Sequence, residues 1–344
     1  MTELIITKPD DMHLHLREGD ILKHVIKDTI KQFARAIVMP NLQDPIKSVN
    51  QAEIYYQEIK KNTINSNFEP LMTLFFNNTL NSDEIKKVSD SKFIHGIKLY
   101  PSGVTTNSND GIDAIEECFN IFELMQKFDV PLLIHAESND KNIDIFDREK
   151  VFIDRNLRQI HSNFPSLRII FEHISSKEAV EFVCDSGDKM CATITPQHML
   201  LDRNDLLSNG IKPHHYCLPI LKRLEDRLAI IKAAISGSHK FFLGTDSAPH
   251  FRHQKESSCG CAGIYSAFSA MELYASVFES ENALDKLENF SSKFGADFYK
   301  LPYTKSKIKL TKKEFKIPTR INVGNEEIIP LFAEEILSWQ LSEI

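Results

Sequence analysis

Eight short apolar runs constrain what this chain can fold into more than any other feature. One surrounds residues 11–17, and the others cover 34–40, 70–76, 96–100, 130–135, 168–173, 191–195 and 241–245. Helix-like stretches lie between them, at 49–61, 112–128, 177–185 and 226–236. Buried strands alternating with amphipathic helices imply parallel strands joined by crossovers. Eight such units predict an α/β fold, a (β/α)8 TIM barrel. A doubly wound sheet is the structural alternative, but no G-x-G-x-x-G follows the early strands. No short-period repeat or low-complexity linker interrupts the pattern.

The pattern stops near Pro302. We expect residues 1–302 to form the barrel and 303–344 to form a C-terminal extension packed on it. Residues 305–318 alternate charged and apolar and read as extended, whereas 329–341 read as a closing helix with Trp339 packed down. Only ten residues precede the first barrel strand, with Leu4-Ile5-Ile6 leading into it, too few for an N-terminal β-sandwich.

At 344 residues the chain has the usual size of such a barrel. Its net charge of -7 gives no reason to expect nucleic acid or an acidic membrane as a partner. The first residues hold no basic segment followed by an apolar run, so no secretory signal is expected, and no apolar stretch is long enough to cross a bilayer. The six cysteines are scattered apart from Cys259 and Cys261, which fits reduced thiols in a cytoplasmic protein better than a disulfide framework. Those two could act as soft metal ligands, but no second pair of ribbon spacing accompanies them.

The polar residues at the strand ends carry the chemistry. His13 and His15 stand two apart on a strand, so they face the same way. Paired imidazoles on a rigid strand are half of a zinc site, although an HxH pair alone is also compatible with chance. Lys98 lies inside the apolar strand GIKLY, His135 and His173 end two further strands, and Asp246 ends the last. Each has an ordinary explanation by itself, a helix cap for Asp246 among them. In a barrel, however, all six meet at the mouth formed by the C-terminal strand ends.

This pattern resembles the amidohydrolase superfamily. The longer motifs DMHLHLREG (11–19), RAIVMPN (35–41), Lys98 to Pro101 with Thr105-Thr106-Asn107, IDIFDRE (143–149), TITPQH (193–198), YCLPILKR (216–223) and LGTDSAPHFRHQKESSCGCAG (243–263) resemble the dihydroorotase family, of the short class lacking the N-terminal β-domain. The likeness runs from about residue 8 to about residue 302. It implies a zinc-dependent cyclic amide hydrolase of pyrimidine biosynthesis that interconverts N-carbamoyl-L-aspartate and L-dihydroorotate.

The resemblance further implies two zinc ions bridged by N6-carboxylated Lys98. His13, His15, carboxylated Lys98 and Asp246 would hold one ion, and carboxylated Lys98, His135 and His173 the other. A lysine cannot ligate as an ammonium; an apolar strand lowers its pKa and frees the amine for carboxylation. A bridging water would lose its proton near neutral pH, with Asp246 as general base and acid. Arg17, Asn41 and His250 would grip the substrate carboxylate, His135 would face the substrate, and backbone groups near Leu218 and Ala262 would meet the ring amides. Thr105 and Thr106, in the polar stretch 103–110, would belong to a mobile lid. A homodimer is expected by the same likeness. A hydantoinase of the same superfamily and a barrel retained only for assembly are the competing readings.

Overall fold

The computed structural model describes residues 3–258 and 260–344. Eight parallel strands form one sheet in chain order: β2 (Asp10–Leu14), β3 (Arg35–Val38), β4 (Glu69–Phe75), β5 (Ile94–Leu99), β6 (Leu132–Ile134), β7 (Ile169–Phe171), β8 (Met190–Ile194) and β9 (Phe241–Leu243). Parallel bridging of Leu14 to Ser247, just past β9, brings the last strand against the first. This is the expected barrel, with helices such as Val49–Lys61, Lys177–Asp185 and Leu224–Ala234 between strands.

Alternation along the strands sorts the core into two layers. Ile37, Leu133, Ile170 and Phe242 fill the lumen together with Met12, Leu71, Cys191 and Tyr299. Their strand neighbours Ala36, Val38, Leu132, Ile134, Ile169, Phe171, Phe241 and Leu243 face the helices. The period-2 pattern carries over to later residues of several strands at the barrel mouth, but not on β2, where Met12 lies in the lumen and the register to β3 shifts between Asp11 and Leu14.

The chain ends depart from expectation. β1 (Glu3–Thr7) does not lead into the barrel sheet. It pairs antiparallel with β10 (Lys307–Lys316), which pairs in turn with β13 (Ile336–Glu343). Between these lies a hairpin of β11 (Ile321–Val323) and β12 (Glu326–Ile328). The closing helix predicted over 329–341 is thus incorrect, because the segment ends in a strand. Trp339 and Leu341 are buried on one side of β13 with a half-buried Leu337 two residues earlier, a period of 2 rather than 3.6. Trp339 does pack down: its indole N–H donates to Glu279 at 3.0 Å. The helical stretch expected over 112–128 is shorter, a 3-10 turn at Ile115–Cys118 followed by helix Phe119–Lys127.

Candidate metal centre and substrate pocket

The predicted residues converge at the C-terminal strand ends. His13 lies on β2 and His15 just beyond it, Lys98 near the end of β5, and His135, His173 and Asp246 just past β6, β7 and β9. Barrel closure aligns two of these segments: Asp246 N–H donates to His13 carbonyl at 2.8 Å and His15 N–H to Ser247 carbonyl at 3.1 Å. Asp246 Oδ1 then lies 3.0 Å from His15 Nε2 and 3.4 Å from His13 Nε2. His13, His15 and Asp246 can thus point ligand atoms at one ion, all within 4.8 Å of one another. The His173 ring stands 4.8 Å from that of His13 and 4.7 Å from that of His135, centroid to centroid. Lys98 Nζ lies 5.1 Å from the Tyr100 ring centre.

Not all of these residues reach the mouth by strand alternation. His135 continues the inward series after Leu133, and Lys98 lies two residues after Gly96 on β5, opposite in sense to the outward Ile97 and Leu99. On β7 the residue in phase with Ile170 is Glu172, so alternation alone would send His173 outward beside Phe171. A left-handed backbone at His173, φ 41°, breaks the phase. Asp246 (φ 45°) and Arg17 (φ 59°) share this conformation, which costs an ordinary side chain about 1–3 kcal/mol where surroundings impose it.

The electrostatics follow from burial. Desolvation, reinforced by Lys98, holds His13 and His173 below the usual imidazole range; for His15 burial is joined by Arg17 and then Lys98. These rings are therefore neutral and able to ligate. Burial lowers the Lys98 ammonium to about 8, against the pull of Glu172 and Asp246. Burial also raises the Asp246 carboxyl, opposed first by His13 and then Lys98. Lys98 Nζ, His13 Nε2 and His173 Nδ1 are buried polar atoms with no hydrogen-bond partner. Such atoms are uncommon in folded proteins, and a cluster of nitrogen donors suits zinc. The donor set therefore fits a metal centre.

A narrow pocket opens over these groups, walled by Arg17, Asn41, Tyr100, Thr105, Thr106, Leu218 and Ala262 among others. A roomier cleft at the barrel floor, around Lys8 and Phe68, has no such convergence of ligands. Arg17 donates to Pro249 carbonyl at 3.1 Å and meets His250 Nε2 at 3.0 Å. His250 Nε2 also lies 3.0 Å from Ala262 carbonyl, so a neutral ring makes one of these bonds at a time. Burial, then Arg17 and Lys255, push the His250 pKa far down, which keeps it neutral. The loop holding Thr105 and Thr106 folds over the pocket: Asn41 Nδ2 donates to Thr106 carbonyl at 2.9 Å, and Thr106 hydroxyl to Ala262 carbonyl at 3.3 Å. Cys259 lies outside the described residues; Cys261 contributes its carbonyl, at 2.8 Å, to the Lys255 ammonium.

Sequence reasoning missed the carboxylates behind the histidines. Glu172 Oε2 sits 2.7 Å from His13 Nδ1 and accepts from Thr193 hydroxyl at 2.6 Å. Glu137 Oε2 sits 2.9 Å from His135 Nε2. Such partners fix which ring nitrogen is left for a metal. The signal was present: each acid lies one or two residues from a strand-end histidine, in the sequences His135-Ala136-Glu137 and Glu172-His173.

The chain matches the amidohydrolase family over residues 5–313. A dihydroorotase of Picosynechococcus is 52% identical over the full length of both chains. One of Coxiella burnetii is 52% identical over 99% of this chain and 98% of its own. The structure superposes on a Saccharomyces cerevisiae dihydroorotase solved with 5-fluoroorotic acid at a TM-score of 0.93 and 34% identity, covering 100% of this chain and 99% of that one. Among the described residues no helix is long and apolar enough to cross a membrane. With full-length identity of about half and the same barrel, this chain belongs to the amidohydrolase family and, within it, to the dihydroorotases.

Proposed function

We propose that this enzyme, a hydrolase acting on a cyclic amide, interconverts L-dihydroorotate and N-carbamoyl-L-aspartate in pyrimidine synthesis, using two zinc ions. His13, His15, carboxylated Lys98 and Asp246 would hold one ion; carboxylated Lys98, His135 and His173 the other. Bound there, the ions would supply Lewis acidity toward the amide carbonyl and a water acidic enough to attack near neutral pH. Carboxylation needs the Lys98 amine unprotonated, which an ammonium pKa of about 8 allows for a fraction of chains at neutral pH.

The observation that carries the substrate assignment is Arg17. Its guanidinium is held beside the ligand cluster by a carbonyl and an imidazole rather than by a carboxylate. A cation so placed suits a ligand that brings its own carboxylate, with Asn41 and His250 completing the grip. Substrate would take the Arg17 fork and leave His250 Nε2–H free to donate. Thr105, Thr106 and the backbone at Leu218 and Ala262 line the remaining wall and would meet the ring, with His135 below it.

In the hydrolytic direction Asp246 accepts the proton of the attacking water as its oxygen adds to the ring carbonyl carbon. The carbon–nitrogen bond then breaks, and Asp246 returns the proton to the departing nitrogen. In synthesis Asp246 takes the proton of the ureido nitrogen and delivers it to the departing oxygen. The reading extends to a cytoplasmic homodimer, which light scattering on the purified protein would check.

Purified enzyme assayed with L-dihydroorotate and, in parallel, with an uncharged hydantoin separates this reading from a hydantoinase. Turnover of the first alone is expected; preference for the hydantoin would overturn it. Asp246→Asn should keep much of the metal while turnover falls by about 10²–10⁴, the usual contribution of a general acid–base.

A further inference from the structure

Motifs 143–149 and 216–223 contribute to a second polar cluster, behind the histidines. Glu149 and Lys222 are almost wholly buried, as is Ser175. Lys222 Nζ lies 3.2 Å from Glu149 Oε2 and donates to Ser175 Oγ at 2.5 Å. Ser175 hydroxyl donates to Glu149 Oε2, and Ser175 N–H donates to both carboxylate oxygens at 3.0 and 3.2 Å. Four contacts thus converge on one serine.

Ser175 is two residues past His173, whose left-handed backbone turns its ring into the mouth. That turn is held on its other side by His173 N–H donating to Thr193 Oγ1 at 2.6 Å. A backbone in a sparsely populated conformation persists only where its surroundings over-determine it. The cluster also reaches the neighbouring histidine. Arg148, which precedes Glu149, accepts Ser138 N–H at its carbonyl at 3.1 Å, and Ser138 follows Glu137, which is bonded to His135 at 2.9 Å.

We propose that the Glu149–Lys222 pair is a clamp on Ser175 that holds the His173 turn in its metal-facing conformation and, through Glu137, steadies His135. Both are positioning residues: they touch neither substrate nor the ligand atoms, and they govern how tightly the ion held by His135 and His173 is retained. The inference rests on the metal reading above.

The test is zinc release from zinc-loaded enzyme to a colorimetric chelator, at a temperature where all variants are folded by circular dichroism. The variants are Glu149→Gln, Ser175→Ala, the double variant Glu149→Gln/Lys222→Met, and Glu272→Gln. The last removes a buried carboxylate that bonds Gln32 and Leu341 away from the mouth, and so reports general destabilisation. Partners behind metal ligands change metal affinity by about 10–100-fold, and one of the two zinc ions should leave faster by that factor in Glu149→Gln and the double variant. Ser175→Ala, the mildest change, should share the direction, and Glu272→Gln should release zinc at the wild-type rate. Wild-type release from Glu149→Gln and Ser175→Ala, or equal acceleration by Glu272→Gln, would overturn the clamp alone. Wild-type enzyme that takes up no zinc would overturn the metal reading and the clamp with it.

Discussion

Gly244 gives the sharpest test of how tightly the mouth is built. It follows inward-facing Phe242 on the last barrel strand. A methyl group there would sit 2.7 Å from Thr193 Cβ, 2.8 Å from Thr193 Cγ2 and 3.0 Å from His13 Cβ. Carbon atoms settle at about 3.5–4.0 Å, so Gly244→Ala must open these contacts by about 0.5–1 Å. Neither neighbour yields freely. Thr193 hydroxyl is fixed by Glu172 and by His173 N–H, each at 2.6 Å. His13 is fixed by Glu172 at 2.7 Å. Overpacking of this kind costs about 1–3 kcal/mol, a few degrees in Tm for a domain of this size. The larger effect falls on chemistry, because displacing a positioned group by about 1 Å can cost about 10²-fold in rate. Parallel measurement of Tm and of kcat for L-dihydroorotate should show a small loss in the first and a large loss in the second. A Gly244→Ala enzyme with wild-type kcat would refute the claim that Thr193 and His13 are held rigidly.

Three further outcomes follow from the same structure. Arg17→Met should raise KM for L-dihydroorotate with zinc content unchanged; loss of charge-assisted bonds to a carboxylate is worth about 1.5–3 kcal/mol, or about 10–150-fold, and an unchanged KM would remove Arg17 from the substrate site. Lys98→Ala should lose most activity and regain part of it with a short carboxylic acid in the buffer, whereas full activity without such an acid would contradict a bridging carbamate. His198 is buried and neutral, bonded to Thr195 hydroxyl at 2.8 Å and Pro219 carbonyl at 2.9 Å, and burial lowers its pKa to about 4. Its unfolded form titrates near 6.5, so stability is complete above that pH and falls as pH drops toward 4, by about 1.4 kcal/mol per pH unit. Urea unfolding from pH 7 to 4 should show this slope reduced by about one proton in His198→Gln; an identical slope would show that His198 does not titrate in this window.

The barrel was legible because its signal is repeated eight times and each strand is buried on both faces. Lys98 and His135 were legible for a related reason, since the period of 2 that seats Leu133 in the lumen also seats His135. His173 reaches the pocket through a left-handed backbone that breaks the strand phase, which no alternation rule foretells; strand-end position and family likeness supplied it, whereas Asp246 falls in phase with Phe242 and Arg17 with His13 and His15. The buried acids were harder to find. Glu137 and Glu172 are adjacent to ligands in sequence, but Glu149 and Lys222 come from segments far apart, and only folding brings them to Ser175. The misread tail has a local cause. Its apolar spacing fits either period over so short a stretch, and the pairing of β13 with β10 decides for the strand.

The central claim is that these groups enclose two metal ions joined through a modified lysine. Diffraction from crystals of the native enzyme, recorded on both sides of the zinc absorption edge, tests it directly. The account predicts two anomalous peaks at the barrel mouth, between His13, His15 and Asp246 on one side and His135 and His173 on the other, with electron density continuing past Lys98 Nζ as a carboxylate. A bare Lys98 ammonium with no anomalous signal among the histidines would contradict it.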